Sequence, residues 1–419
     1  MKILIITDMP PCTNHTSGIV MNKWCDFLLE EKHKVFCALV KDPNVTVKIP
    51  KEKINNIKFL KLDKPREYWS YDKPGKFYKG LSLFRSFVCN NFSTLFILPT
   101  IKRKIVKFAK ENDIDSIFCS MQGQTITRLV RPVAQKLKKE YVAQTWDPLE
   151  WWLKDFKFDK ITAKFNMNEY GKVIQNAKVF MAMSWAMSVE YSKKYTANCV
   201  TNLPGLQYEK IDYNKAKNEI FSIGFAGQVY AKEEITILIK TLRKMKWKYK
   251  NKEIKLNLYG VKFNVDIEDY DNILIHGYLQ QEKLLTELGK ADLLYCPYWF
   301  DKDYIEPTRL SFPGKLTSYL KLGKPVLIHA PQYASPRIIL EKNKAAYICD
   351  SLDIAEMEKL LCYIIEDEES EIIAKRGLEV FKKYLTYEQM KKSLFVSLGL
   401  QKKDELEDFE RVRKLYETS

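Results

Sequence analysis

The stretch SFPGKLTSYLKLGKPVLIHAP (Ser311–Pro331) reads as a short amphipathic helix that turns directly into a buried strand. Phe-Pro-Gly-Lys opens it and Gly-Lys-Pro-Val closes it. Lys315 falls in the first turn, where a cation opposes the positive end of the helix dipole. A helix that only has to pack gains nothing from that placement. An anion at the free N–H groups of the helix start resolves the conflict, because a helix N-terminus is a natural phosphate site.

Upstream of this segment the chain alternates apolar runs with helical stretches. IFSIGFAG, IKLNLYG, NILIHG and DLLYCP precede PVLIHA, and most of them end on Gly or Pro. Five such strands separated by helices make a doubly wound parallel sheet, with ligands expected at the carboxyl ends of its strands. The N-terminal half has the same rhythm in KILIIT, KVFCALV, SIFCS, EYVAQ and KVFMAM. Helical patterns run between them over Val20–Leu29, Thr125–Lys138 and Thr162–Gln175. The pattern lapses in NLPGLQYEKIDYNKAKNE, a polar segment containing Pro204 and Gly205. The expected organisation is a Rossmann-like domain over 1–205, a linker over 206–218, a second such domain over 219–380 and a helical tail over 381–419. Two facing α/β domains of this kind enclose a cleft, a favoured place for ligands. No sequence repeat relates the halves.

The 419 residues carry 69 Lys and Arg against 53 Asp and Glu, a net charge of +16 that calls for an anionic partner or surface. A hydrophobic fraction of 46% suits a globular fold and excludes a disordered one. The nine cysteines are scattered, with no CxxC and no histidine beside them, so a zinc site is not expected. Single thiols inside apolar runs such as KVFCALV point to a reducing cytosol. MKILIITDMPP is too short in its apolar part for a signal peptide. The charge-free stretch Ser86–Ile101 is shorter than a membrane span requires, which makes the chain soluble or peripheral.

Two phosphate motifs fail on spacing. GKLTS lacks the earlier glycine and the following Ser or Thr of a P-loop, and SIGFAGQVYAKEE lacks the third glycine of a dinucleotide fingerprint. What remains is a set of parts at one edge of the C-terminal sheet. Gly227 and Gln228 end a strand, Lys232 opens the next helix, Gly277 ends another strand and Lys315 opens a third element. Their convergence suits a diphosphate; the bland alternative is ordinary loop glycines and exposed lysines.

These residues resemble a family. IFSIGFAGQVYAKEE, NILIHGYLQQEKLLTELGKADLLYCPY and FPGKLTSYLKLGKPVLIHAP are similar to the C-terminal domain of GT-B glycosyltransferases, nearest to the GT4-like enzymes of bacterial polysaccharide assembly. The opening KILIITDMPPCTNHTSGIVMNKWCDFLLEEKHKVFCALV, with Gly18 in or near its first loop, resembles their N-terminal start. EYVAQTWDPLEWW and NLPG extend the likeness over most of residues 1 to 390. The resemblance implies a GT-B fold, a nucleotide-sugar on the C-terminal domain and an acceptor on the N-terminal one. Carried across, Gln228 stands where relatives often have an arginine for the diphosphate, and Lys232 where they have a lysine. Phe312, Pro313, Gly314 and Lys315 match the diphosphate turn, and Ser318 takes the place of a ribose-binding glutamate. Leu310 replaces the other glutamate of that pair, with Glu306 as its substitute from a shifted loop, and Arg309 lines the sugar side with it. The scheme needs no metal and no cofactor, since lysines and helix dipoles neutralise the phosphates.

A glycosyl transfer by inversion needs a general base near the acceptor hydroxyl, whereas a retaining one relies on stabilising the leaving diphosphate. The loop SMQGQT carries Gln122 and Gln124 where many relatives have a histidine. The alternative carboxylates are Asp147 and Glu150 in TWDPLEWW, where Trp146, Trp151 and Trp152 suit a sugar face. An N-cap at Asp147 among core tryptophans is the bland reading. Gly18, Gln122 and Trp146 are the acceptor-side candidates, and Asp8 and His15 lie in the first loop.

Residues Lys64–Lys110 hold eleven basic, two acidic and ten aromatic side chains. Without a nucleic-acid motif this mixture reads as a face for an anionic membrane, or as a solvated helix packed on the sheet. The expected protein is a cytoplasmic glycosyltransferase, peripheral on the inner face of the membrane. It would move a sugar to a glycan or lipid-linked acceptor in surface polysaccharide or glycoconjugate assembly. A sugar-nucleotide epimerase, a degenerate scaffold and a nucleic-acid binder are the rivals.

Overall fold

The computed structural model describes residues 1–67, 76–209, 219–260, 263, 268–269 and 271–417. The chain forms two compact units, one of Met1–Asn202 with Lys391–Asp408 and one of Leu203–Met390 with Phe409–Ser419.

Unit 1 holds β1 (Lys2–Thr7), β2 (Lys34–Lys41), β3 (Ile57–Asp63), β4 (Ser116–Met121), β5 (Tyr141–Thr145), β6 (Val179–Ala182) and β7 (Cys199–Thr201). They pair in the order β3-β2-β1-β4-β5-β6-β7, all parallel. Strand β1 is buried on both faces from Ile3 to Thr7, which is why it reads as an unbroken apolar run. The helices are α1 (Thr16–Glu30), α2 (Lys51–Asn56), α3 (Lys76–Phe92), α4 (Leu98–Glu111), α5 (Gly123–Leu137), α6 (Leu149–Asp155), α7 (Lys160–Gln175) and α8 (Trp185–Tyr195). Asp159 caps α7 by accepting from Thr162 N at 2.8 Å, and Ser184 caps α8 by accepting from Met187 N at 2.9 Å.

Unit 2 holds β8 (Ile220–Ala226), β9 (Lys248–Tyr249), β10 (Lys252–Tyr259), β11 (Ile273–Gly277), β12 (Leu293–Pro297), β13 (Val326–His329) and β14 (Tyr347–Cys349). The order β11-β10-β8-β12-β13-β14 is parallel throughout, and only the two-residue β9 runs antiparallel, against β10. Between and after them in sequence come α9 (Lys232–Lys244), α10 (Gln281–Gly289), α11 (Ile305–Leu310), α12 (Gly314–Lys321), α13 (Ser335–Lys342), α14 (Ile354–Glu366), α15 (Ser370–Tyr384), α16 (Tyr387–Ser397) and α17 (Glu407–Glu417). The core packs Phe225, Leu238, Leu256, Leu293, Tyr295 and Leu327 among some twenty buried residues. Each sheet therefore starts on a central strand and builds outward on both sides. The direction reverses beside β1 in unit 1 and beside β8 in unit 2, the switch points where such sheets bind ligands.

Two features differ from the sequence pattern. Residues 381–419 do not form a tail of their own, because α15 runs through to Tyr384 and the rest is shared between the units. Their apolar side chains explain this: Leu394, Phe395 and Leu406 are buried, as are Phe409, Val412 and Tyr416, whose hydroxyl donates to Ser335 O at 2.9 Å. The expected linker, 206–218, lies from 210 onward outside the described residues. Finally, the apolar stretch 86–101 is not isolated. Helix α3, a π-helical turn (Ser93–Ile97) and α4 run on continuously, so that Gly80–Glu111 is one helix long and apolar enough, by length and composition, to cross a membrane.

Candidate functional site

Strand β8 stops at Gly227, which has φ of 97° and so needs a residue without a Cβ. Ala226, Tyr259 and Gly277 lie in register across β8, β10 and β11. Gly227 N donates to Tyr259 O at 2.8 Å, and Gly260 N to Gly277 O at 2.9 Å. A Cβ on residue 260 would stand 2.6 Å from Gly227 O, so only glycine fits there. Three adjacent strands thus end on glycine, and the edge of the sheet beside the switch point presents bare backbone.

Helix α12 brings its first turn to this edge. Tyr319, one turn after Lys315, hydrogen-bonds through its hydroxyl with Ala226 N at 2.8 Å and fixes α12 to the end of β8. The i, i+4 spacing then carries Lys315 over the same strand end. Its Nζ is 4.1 Å from the Phe225 ring centroid and 4.4 Å from that of Tyr230. A Cβ on residue 227 would stand 3.8 Å from that nitrogen. The amine is buried and has no hydrogen-bond partner. Burial lowers its pKa from 10.5 to about 8, and no carboxylate offsets the cost. Cation–π contacts recover part of it. Pro313 precedes α12 without a side-chain cap, and Gly314 is exposed with open space where a Cβ would be. The expected diphosphate turn therefore consists of two buried packing residues, Phe312 and Pro313, followed by an open glycine and a half-buried lysine whose amine is buried. That Nζ and the free N–H groups of the helix start are the two features here whose chemistry suits an anion.

Neighbouring aromatics pack around this strand end. Trp299 donates from Nε1 to Tyr230 O at 3.0 Å and stacks on Tyr304 with centroids 4.9 Å apart. This loop is pinned by Glu234, buried in the first turn of α9, which accepts from Phe300 N at 2.7 Å. Burial raises the Glu234 pKa against that bond. The neighbouring residues Tyr230, Glu234, Trp299 and Tyr319 were not legible in the sequence, since only folded contacts gather them at this strand end.

Among the other unit 2 candidates, Gln228 and Lys232 are exposed, directly after Gly227 and at the start of α9. Gly277 ends β11, one strand beyond Gly260. Ser318 is half-buried on α12, Glu306 half-buried on α11 and Arg309 exposed at its end. Glu306 does not touch the Lys315 amine.

In unit 1 the acceptor-side candidates follow β1 (Gly18), β4 (Gln122) and β5 (Trp146). Gln122 precedes α5, and Gly123 has φ of 68°. Met121, Gln122, Gly123, Thr145, Asp147 and Trp152 line a small recess. The residue directly before α6 is Pro148, so Asp147 is not its N-cap. Glu150 instead faces outward in an ion pair with Lys154 at 3.3 Å. Trp146 stacks on buried Trp24 with centroids 5.3 Å apart. Gly18 has a packing role: a Cβ there would stand 2.2 Å from Cys12 Sγ, so the first loop folds onto its bare face. His15 bonds the main chain at Thr46 O, 3.0 Å away.

A buried charge cluster here escaped the sequence pattern. Asp8, just beyond β1, pairs with Lys64 at 3.1 Å, and Lys64 with Glu67 at 3.4 Å. Glu67 also accepts from Thr125 N at 3.1 Å and Thr125 Oγ1 at 2.7 Å, occupying the start of α5. Burial raises the Asp8 pKa, while the two carboxylates outweigh burial and raise that of Lys64. The signal available beforehand was a carboxylate directly after the first strand.

No family model matches the chain, and no curated protein matches it. Solved structures do. Over the whole of both chains it superposes on sucrose-phosphate synthase from Thermosynechococcus elongatus, with a TM-score of 0.65 and 12% identity. A glycosyltransferase from Rickettsia africae gives a TM-score of 0.64 at 10% identity, covering 96% of this chain and 99% of its own. The Anabaena protein HepE, solved with UDP-glucose, gives 0.59 at 13%, covering 96% and 100%. These neighbours are GT-B glycosyltransferases, and the two Rossmann-like units of this chain have the GT-B fold.

Proposed function

We propose that this protein is a glycosyltransferase of the GT4-like kind. It takes a hexosyl or related group from a nucleoside-diphosphate donor held on unit 2 and passes it to a glycan or lipid-linked acceptor handled by unit 1. The observation that carries the reading is the buried, unpartnered amine of Lys315 at the start of α12, beside bare Gly227. A buried cation without an anion is costly, and a diphosphate supplies the anion. HepE, which shares the fold, was solved with UDP and with UDP-glucose.

The chemistry follows from where charge develops. As the glycosidic bond to the donor breaks, negative charge grows on the leaving diphosphate. Lys315 and the α12 N-terminus stabilise it without a metal. Gln228 and Lys232, exposed at the same strand end, approach the phosphates from solvent. Ser318 offers a hydroxyl to the ribose, and Glu306 with Arg309 lies toward the sugar. In unit 1, Asp147 is the favoured base for the acceptor hydroxyl, because it lines a recess with Gln122 and Trp152 while Glu150 is held in a surface ion pair.

Turnover tests the proposal. The protein is incubated with UDP-, GDP-, ADP- and TDP-sugars, with and without a lipid and glycan extract, and released nucleoside diphosphate is measured. Acceptor-dependent release from one donor is expected. Conversion of the sugar nucleotide without release would assign an epimerase, and inertness toward every donor a scaffold.

A further inference from the structure

Helix α3 is built inside out. Ser86 and Asn90, and Ser93 in the π-helical turn, are buried. Phe84, Phe92, Leu95 and Phe96 point away and are 56% to 68% exposed. The inward residues join a polar chain through the unit. Ser86 donates to Asp159 Oδ2 at 2.9 Å, and Asn90 accepts from Gln124 Nε2 at 2.8 Å. Gln124 in turn accepts from Asn166 Nδ2 at 3.2 Å, and Asn166 from Arg128 Nε at 2.7 Å. Helix α7, joined to α3 through Asp159 and by the Asn91 to Thr162 bond of 3.4 Å, adds exposed Ile161 and Phe165. In water the hydrophobic effect selects the opposite orientation. An apolar surface of this kind marks an interaction site.

Charge decides among occupants. From Lys76 to Lys110 the sequence has eight basic residues and no acidic one. Arg85, Arg103, Lys104, Lys160 and Lys164 are exposed on the helices that carry the apolar residues. A second copy would bring like charges together, which disfavours self-pairing. A bilayer with anionic headgroups matches both features, taking the aromatic and leucine side chains into the interface and the cations to the phosphates. The helix has the length to span, yet it is committed to the folded unit on its other side. Ile101, Ile105 and Phe108 of α4 are buried, and Phe108 meets Phe36 of β2 with ring centroids 6.2 Å apart. Crossing would strip both this packing and the polar chain.

We propose that unit 1 docks on anionic membranes through the outward face of α3, the π-helical turn and α7, with the helix lying in the interfacial plane. This holds independently of which donor unit 2 binds.

Flotation of the full chain with vesicles tests it, using phosphatidylcholine alone or mixed with phosphatidylserine. Wild type is expected to float with the anionic vesicles and to be released by salt. The variant Phe84→Ser/Leu95→Ser/Phe96→Ser is expected to bind about tenfold more weakly or worse, with unchanged melting temperature and nucleotide response. Arg103→Glu/Lys104→Glu should weaken binding only to anionic vesicles. Wild type that stays soluble with every vesicle, or a triple variant that floats equally well, would overturn the proposal. So would alkali-resistant insertion, which means a span, or a vesicle-free dimer that the triple variant abolishes, which gives the face to a second copy.

Discussion

The amine of Lys315 lies 3.8 Å from the point where a Cβ on residue 227 would stand, so the glycine leaves room beside the buried cation. One residue supplies the charge, and the other keeps side-chain atoms away from it. The two are 88 positions apart in sequence (315 − 227), and the bond between Tyr319 and Ala226 N brings them together.

Burial holds the Lys315 amine at about 8, against its ordinary 10.5. It is charged at pH 7 and largely neutral at pH 9, so diphosphate affinity is expected to fall about tenfold across that range. Lys315→Arg keeps its charge and should flatten the profile. In the ligand-free protein the unfolded chain binds the extra proton between the two pKa values. Stability contributed by this group therefore rises with pH from about 8 to 10.5, and Lys315→Met should remove that slope. Titration calorimetry and denaturant melts at several pH values check both statements.

Gly227→Ala forces a side chain onto φ of 97° and toward the lysine. A loss of about 1–2 kcal/mol in stability is expected from the backbone alone, together with weaker nucleotide binding. Urea melts give the first and calorimetry the second. Wild-type behaviour in both would remove the glycine from the site.

Asp147→Asn is expected to cut turnover by about 10²–10⁴-fold, the range for a lost general base, while leaving nucleotide affinity unchanged. Glu150→Gln breaks only an exposed ion pair with Lys154, an effect of about 0.3–0.5 kcal/mol or less, and should retain activity. The reverse ranking in steady-state kinetics would exchange their roles.

Gln124→Leu removes the partner of Asn166 Nδ2 and the Gln124 bond of Asn90 Oδ1 in a buried chain. Each unsatisfied group costs about 1–3 kcal/mol, so a large fall in melting temperature is expected. A variant as stable as wild type would show that the chain does not hold α3 on the unit.

The parallel strands were largely legible because burial on both faces makes them unbroken apolar runs, as in KILIIT and PVLIHA. Strand β3, IKFLKLD, hid because it is an edge strand whose apolar run is broken by exposed Lys58 and Lys61. Strand β14 hid because only Tyr347–Cys349 pair. Within the site, Lys315 announced itself through a local conflict, a cation in a first turn. Gly227 and Gly277 did so as strand-ending glycines, but the close approach of Gly260 to Gly227 O depends on the sheet. Tyr230, Tyr319 and the Asp8–Lys64–Glu67 cluster carry no local conflict at all. Their role comes from contacts between distant segments, which no spacing rule encodes. Gly18 errs the other way, a glycine in a suggestive loop whose bare face is filled by Cys12.

The most direct measurement is a thermal-shift panel of UDP, GDP, ADP, TDP and CMP on wild type and Lys315→Ala. A ligand at a hundredfold over its dissociation constant stabilises by about 2.7 kcal/mol. One nucleoside diphosphate should stand out on wild type and lose its effect on Lys315→Ala, with CMP inert on both. No shift with any nucleotide, or a shift that Lys315→Ala leaves intact, would contradict a donor site at the start of α12.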